Sequence, residues 1–146
     1  MTKSILVLGG SYHFGDNAGI FQGATYVGHK LTLPVRKTWI DDKAETIAFV
    51  FESHDVETWG TWKGHQVSIN GSEIGRIKDK ADTTGRVELT TLEVKKEDFL
   101  KLLNQKENFT LEIELERQAA NPGLADDFVL TRIATSTNLV IVLGWK

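Results

Sequence analysis

Apolar and polar residues along this chain alternate mostly with a period of two, in short runs broken by turn residues. Residues 110–116 (Thr-Leu-Glu-Ile-Glu-Leu-Glu) show it best: Leu111, Ile113 and Leu115 fall on one face, Glu112, Glu114 and Glu116 on the other. Such a segment predicts a strand with one face on a core and one in water. Residues 65–70 place Val67 and Ile69 on one face, Asn70-Gly71 is a turn dipeptide, and 74–77 reads as the returning strand of a hairpin. Residues 46–52 (Thr-Ile-Ala-Phe-Val-Phe-Glu) are rich in β-branched and aromatic residues. Further strands are expected over 5–8, over 30–35 with Pro34 marking an edge or a strand end, and over 128–133. Residues 86–92 alternate through Val87, Leu89 and Leu92, and the apolar run 139–143 suits a buried strand. Only 95–105 has helical spacing, through Phe99, Leu102 and Leu103, which predicts one short helix between two strands.

Short strands with frequent turns predict an all-β fold, a two-sheet antiparallel sandwich. The 146 residues suffice for one domain with a sizeable core, and no repeat or linker divides 1–146. Thirteen glycines against two prolines agree with many tight turns. The chain has no cysteine, which excludes disulfides, thiolate catalysis and zinc–thiolate sites. Seventeen basic residues face twenty acidic ones, a net charge of −3, which argues against a nucleic-acid partner. The basic pair Lys95-Lys96 runs straight into Glu97-Asp98, so no polybasic membrane anchor is expected. The aliphatic run Ile5-Leu6-Val7-Leu8 is too short for a signal peptide or a membrane span, and a cytoplasmic location is the default expectation.

From Thr46 onward the order of segments resembles the galactose-binding-like jelly roll, the fold of many carbohydrate-binding modules. Residues 47–56, ending in Asp55-Val56, resemble its first long core strand. Val67-Ser-Ile-Asn70-Gly71-Ser-Glu-Ile74-Gly75 resembles its Asn-Gly hairpin. Phe99 to Leu103 followed by Asn108-Phe-Thr-Leu-Glu-Ile resembles the turn and strand that come next, and Asp126-Asp127-Phe128-Val-Leu resembles the lead-in to a late strand. The resemblance implies a jelly-roll sandwich that binds a ligand on its loops. The sequence departs from that pattern after the hairpin, where a glycine-rich aromatic segment is replaced by the polar Lys78-Asp-Lys-Ala-Asp-Thr-Thr-Gly85.

Several stretches invite a chemical reading. Gly9-Gly10-Ser11-Tyr12-His13-Phe14-Gly15 follows an apolar strand as a dinucleotide-binding turn would, but Tyr12 stands where that turn needs glycine. Four histidines (His13, His29, His54, His65) lack metal-site spacing, although His54 and His65 could converge across a loop with Asp55 or Glu57. The doublets Asp41-Asp42 and Asp126-Asp127 are neighbours whose side chains diverge on an extended backbone, so neither makes a hydrolytic pair. Asp126 and Asp127 could instead hold a structural calcium ion, which favours oxygen donors from loops. The segment His54-Asp-Val-Glu-Thr-Trp59-Gly-Thr-Trp62-Lys63-Gly64-His65 places two tryptophans among glycines and polar groups between two strands. Exposed aromatic faces suit sugar rings, with neighbouring polar groups for the hydroxyls; the alternative is that these rings close the end of the core. Tyr12, His13 and Trp39 could join such a surface, whereas Trp145 follows an apolar run and reads as core.

These readings converge on a non-catalytic binding module, with Trp59, Trp62, His65, Lys63 and His54 as the ligand-binding set and carbohydrate as ligand. The alternative is a structural or protein–protein interaction domain of the same fold. No organic cofactor and no catalytic or membrane-inserted residue is expected.

Overall fold

A computed structural model of the chain describes residues 5–16, 23–39, 45–54, 56, 63–78, 87–118, 121–125 and 128–136. Its strands are β1 (Ile5–Gly9), β2 (Tyr12–Phe14), β3 (Thr25–Gly28), β4 (Lys30–Arg36), β5 (Thr46–His54), β6 (His65–Ile69), β7 (Ser72–Ile77), β8 (Val87–Lys95), β9 (Asn108–Glu114), β10 (Arg117–Gln118), β11 (Asn121–Ala125) and β12 (Phe128–Ser136). One helix, α1 (Lys96–Leu103), joins β8 to β9, and a 3-10 turn (Lys37–Trp39) follows β4. The expected strand 139–143 and Trp145 lie outside the described residues.

The strands form two antiparallel sheets that face each other. One has the order β3-β2-β12-β5-β8, with β1 also on β12; the other has the order β4-β9-β6-β7. A separate hairpin pairs β10 with β11, and only the short β2–β3 pairing is parallel. Both inner faces supply one core: Phe49, Phe51, Phe128, Leu130 and Ile133 from the first sheet meet Val67, Ile69, Leu111 and Ile113 from the second. Phe49 meets Phe109 edge-on across the gap, at 6.4 Å between ring centroids. The fold is the expected two-sheet sandwich with one short helix.

The alternating segment behaves as its pattern demands. Leu111, Ile113 and Leu115 are buried, while Glu114 on the opposite face is exposed. Strand β5 has Ala48 and Val50 buried as well as Ile47, Phe49 and Phe51, so both its faces are covered. That explains its nearly continuous apolar sequence. Strand β8 departs from expectation. All nine of its residues pair with β5, placing Thr90 opposite Phe51, Leu92 opposite Phe49 and Val94 opposite Ile47. Its inward face is therefore Thr90, Leu92 and Val94, and Val87 is 63% exposed.

Helix α1 buries Phe99 and Leu103, and Phe99 packs edge-on against Phe109 at 5.3 Å. Glu97 and Asp98 occupy its first turn, where the helix dipole favours acids. Asn104, in the left-handed conformation, ends it. Asn70 and Gly71 both have positive φ (51° and 86°), as a two-residue hairpin turn requires. The Asn70 side chain also donates from Nδ2 to the Leu102 carbonyl (3.0 Å) and accepts from the Thr110 N–H at Oδ1 (2.9 Å). One side chain thus ties the hairpin to α1 and to β9. Asn70→Ala loses both bonds and places a Cβ-bearing residue without a local polar partner at positive φ, an expected cost of about 2 kcal/mol. Asn70→Gly keeps the turn and loses only the bonds, so about half that cost is expected. Urea unfolding of both variants separates the two contributions.

Candidate functional site

The registers bring four connections to one end of the sandwich. In the first sheet Phe14 pairs with Phe128, Val129 with His54, and His54 with Val87. In the second, Glu114 pairs with both Lys30 and Gln66, and His65 with Ile77. His65 stacks on Phe128 at 4.2 Å and 16°, so these rows belong to the same end. The chain leaves or enters strands here through 15–24, 55–64, 78–86 and 115–127. The opposite end holds the Asn70-Gly71 turn, the 3-10 turn and α1, linked by the Asn70 bond to Leu102.

A rigid aromatic base underlies the loop end. Phe14 stacks on Phe128 at 4.8 Å and 4°, and Phe128 in turn stacks on His65. All three side chains have no exposed surface. His65 was expected to line a ligand surface; instead its ring lies in the core, because β6 alternates and position 65 shares the inward face with Val67 and Ile69. Its Nδ1 accepts the backbone N–H of Glu116 at 3.0 Å, which leaves the ring proton on Nε2 in the neutral form.

Immediately before β6 the chain is pinned on every side. The Glu116 carboxylate accepts two successive backbone N–H groups, from Lys63 at Oε2 (2.9 Å) and from Gly64 at Oε1 (2.8 Å). Arg76 donates from Nη1 to the Gly64 carbonyl (2.9 Å) and pairs through Nη2 with Glu73 (2.9 Å). Gly64 has φ +104°, and a Cβ there would lie 2.8 Å from the Ile77 carbonyl oxygen, so only glycine fits. Lys63 itself is exposed.

On the other flank, the Tyr26 hydroxyl donates to the Gly15 carbonyl at 2.6 Å, and the Gly15 N–H to the Gly28 carbonyl at 2.9 Å. His29 and Asp16, both partly exposed, pair through Nε2 and Oδ1. His13 is buried on the outer face of the first sheet, edge-on to Tyr26 at 5.1 Å. Among the described residues, Tyr26, 43% exposed, is the aromatic displayed here.

His54 and His65 do not converge. His54 pairs with Val129 on the outward face of β5, whereas His65 lies inside against Phe128, so the sheet stands between them. Among the described residues, no three or more His, Asp or Glu side chains are grouped to hold a metal ion. Trp59, Trp62, Asp55, Glu57, Asp41, Asp42, Asp126 and Asp127 lie outside the described residues. Trp39 ends the 3-10 turn at the opposite end, and Tyr12 is half-buried against the core. Gly9 and Gly10 are followed by strand β2 rather than by a helix, so the phosphate-binding turn is not formed.

Glu116, Arg76 and Gly64 escaped the sequence reading. Glu116 is the last acid of the alternating strand and reads as solvated. The only local sign was glycine directly before a strand, which marks a special backbone conformation without naming its partners. The chain matches no protein-family model, and no curated protein sequence matches it.

Proposed function

We propose that the protein is a non-catalytic binding module with a jelly-roll fold, which takes carbohydrate at the loop-bearing end of the sandwich. The carrying observation is the fully buried stack of Phe14, Phe128 and His65 beneath the end where the 15–24, 55–64, 78–86 and 115–127 connections leave the sheets. Loops set on a rigid scaffold are where binding groups concentrate. The strand orders β2-β12-β5-β8 and β4-β9-β6-β7 support the jelly-roll reading, since successive strands cross repeatedly between sheets as in a double Greek key. The sugar reading rests on Trp59 and Trp62, which precede the pinned Lys63-Gly64 pair in the sequence, and on the family resemblance.

A glycan array probed with the purified protein, with calcium and again with chelator, tests this. Binding to a defined glycan is expected, with at least a roughly tenfold loss in Trp59→Ala and Trp62→Ala, since each stacked ring contributes on the order of 1 kcal/mol or more. The oligomeric state should stay unchanged. A hit lost with chelator would put calcium ligands at Asp126 and Asp127. A blank array, or loss of self-association in the tryptophan variants, would replace the carbohydrate reading with protein docking.

A further inference from the structure

We propose that Glu116 is the positioning residue of the loop end, a carboxylate latch that fixes the path of the chain at Lys63-Gly64 where it enters β6. The proposal rests on the binding reading above and adds the residue that would orient its ligand surface.

Two consecutive backbone N–H groups, those of Lys63 and Gly64, point at one carboxylate. Such a pair is an anion cradle, and charge-assisted bonds to it are stronger than neutral ones. Here the anion belongs to the chain itself, supplied across 53 and 52 residues of sequence. The groups on either side of the latch are held in turn. The Glu116 N–H donates to the buried His65, whose ring lies on Phe128. The Gly64 carbonyl is held by Arg76, itself held by Glu73. A Cβ at Gly64 would lie 2.8 Å from the Ile77 carbonyl oxygen, so the turn into β6 packs closely enough there to admit glycine alone. A solvated surface glutamate needs none of these partners. Preorganising a binding loop in this way raises affinity by reducing what must be ordered on binding.

The test uses the full chain carrying Trp39→Phe and Trp145→Phe, so that emission comes from Trp59 and Trp62 alone. Glu116→Ala should increase acrylamide quenching of that emission and weaken glycan binding roughly tenfold, as expected when charge-assisted bonds that order a loop are lost. Acetate is the fragment the substitution removes. Sodium acetate should restore native quenching, while sodium chloride of equal ionic strength should not. Glu116→Gln keeps the side-chain volume and turns an amide against one N–H; it should be intermediate and insensitive to acetate. If Glu116→Ala does not fold, Glu116→Gln alone decides: native quenching there overturns the latch. Equal rescue by acetate and chloride, or no change in either variant, also overturns it. A blank array with acetate-specific rescue removes the ligand reading and leaves the latch standing; glycan binding equal in native and Glu116→Ala protein does the reverse.

Discussion

Phe128→Ala is expected to lower the unfolding free energy by about 3–5 kcal/mol, the scale for emptying a buried aromatic site. Phe128 has no exposed surface and its ring stacks on both Phe14 and His65. The first neighbour comes from the adjoining strand of the same sheet, the second from the opposite sheet. Removing the ring therefore opens a cavity at the point where the two layers meet beneath the loop end. Collapse into that space is opposed by the His65 bond to the Glu116 backbone. Phe128→Leu keeps most of the apolar burial and loses the ring stacking, so a smaller loss of about 1–2 kcal/mol is expected. Urea denaturation gives both numbers, and an unchanged slope would show that the denatured state is unaltered. An alanine variant within 1 kcal/mol of the native chain, on the order of a surface substitution, would show that the stack does not join the layers.

The readable parts of this fold were those where one strand's own sequence decides which face is buried. Strand β9 alternates without exception, and its three apolar residues, Phe109, Leu111 and Ile113, are all inside. Asn70-Gly71 carries its conformation in its own chemistry, since both residues accept positive φ. Strand β8 was harder, because its inward face begins with Thr90 while apolar Val87 and Leu89 lie on the other face. Pairing with Phe51 and Phe49 of β5 sets that choice, and pairing is a property of two strands. Strands β2 and β3, three and four residues long, offer too few positions for any period to show. The site was less legible still. His54 and His65 are close in sequence but emerge on opposite sides of a sheet, because one sits on an outward and the other on an inward position. Glu116 and Gly64, 52 residues apart, meet only through the pairing of β6 with β9. Local patterning can announce an exposed acid, but not the pair of amides it will find.

Gly10→Ala is expected to cost about 3 kcal/mol or more, combining an unfavourable φ with steric overlap. Gly10 lies between β1 and β2, where both run along β12, and its φ is +149°. An added Cβ would overlap the Thr131 carbonyl oxygen and sit 2.9 Å from its carbon. Both atoms are backbone, so no side-chain rotation relieves the overlap. Thr131 cannot retreat freely either. It occupies an irregularity in the β12–β5 pairing, and its hydroxyl donates to the Glu52 carboxylate at 2.8 Å. Relief must come from moving β12 or parting it from β1. Gly71→Ala is the control: its φ is +86°, yet nothing lies within 4 Å of the added Cβ. It should cost only about 1–2 kcal/mol, the conformational part alone. The difference between the two variants in thermal or urea unfolding isolates the overlap, and equal losses would show that β12 yields at this point. Since β12 begins at Phe128, a shift forced at Thr131 should also disturb the His65 stack. Gly10→Ala should therefore lose part of the latch-dependent tryptophan signal, whereas Gly71→Ala, at the opposite end of the sandwich, should keep it.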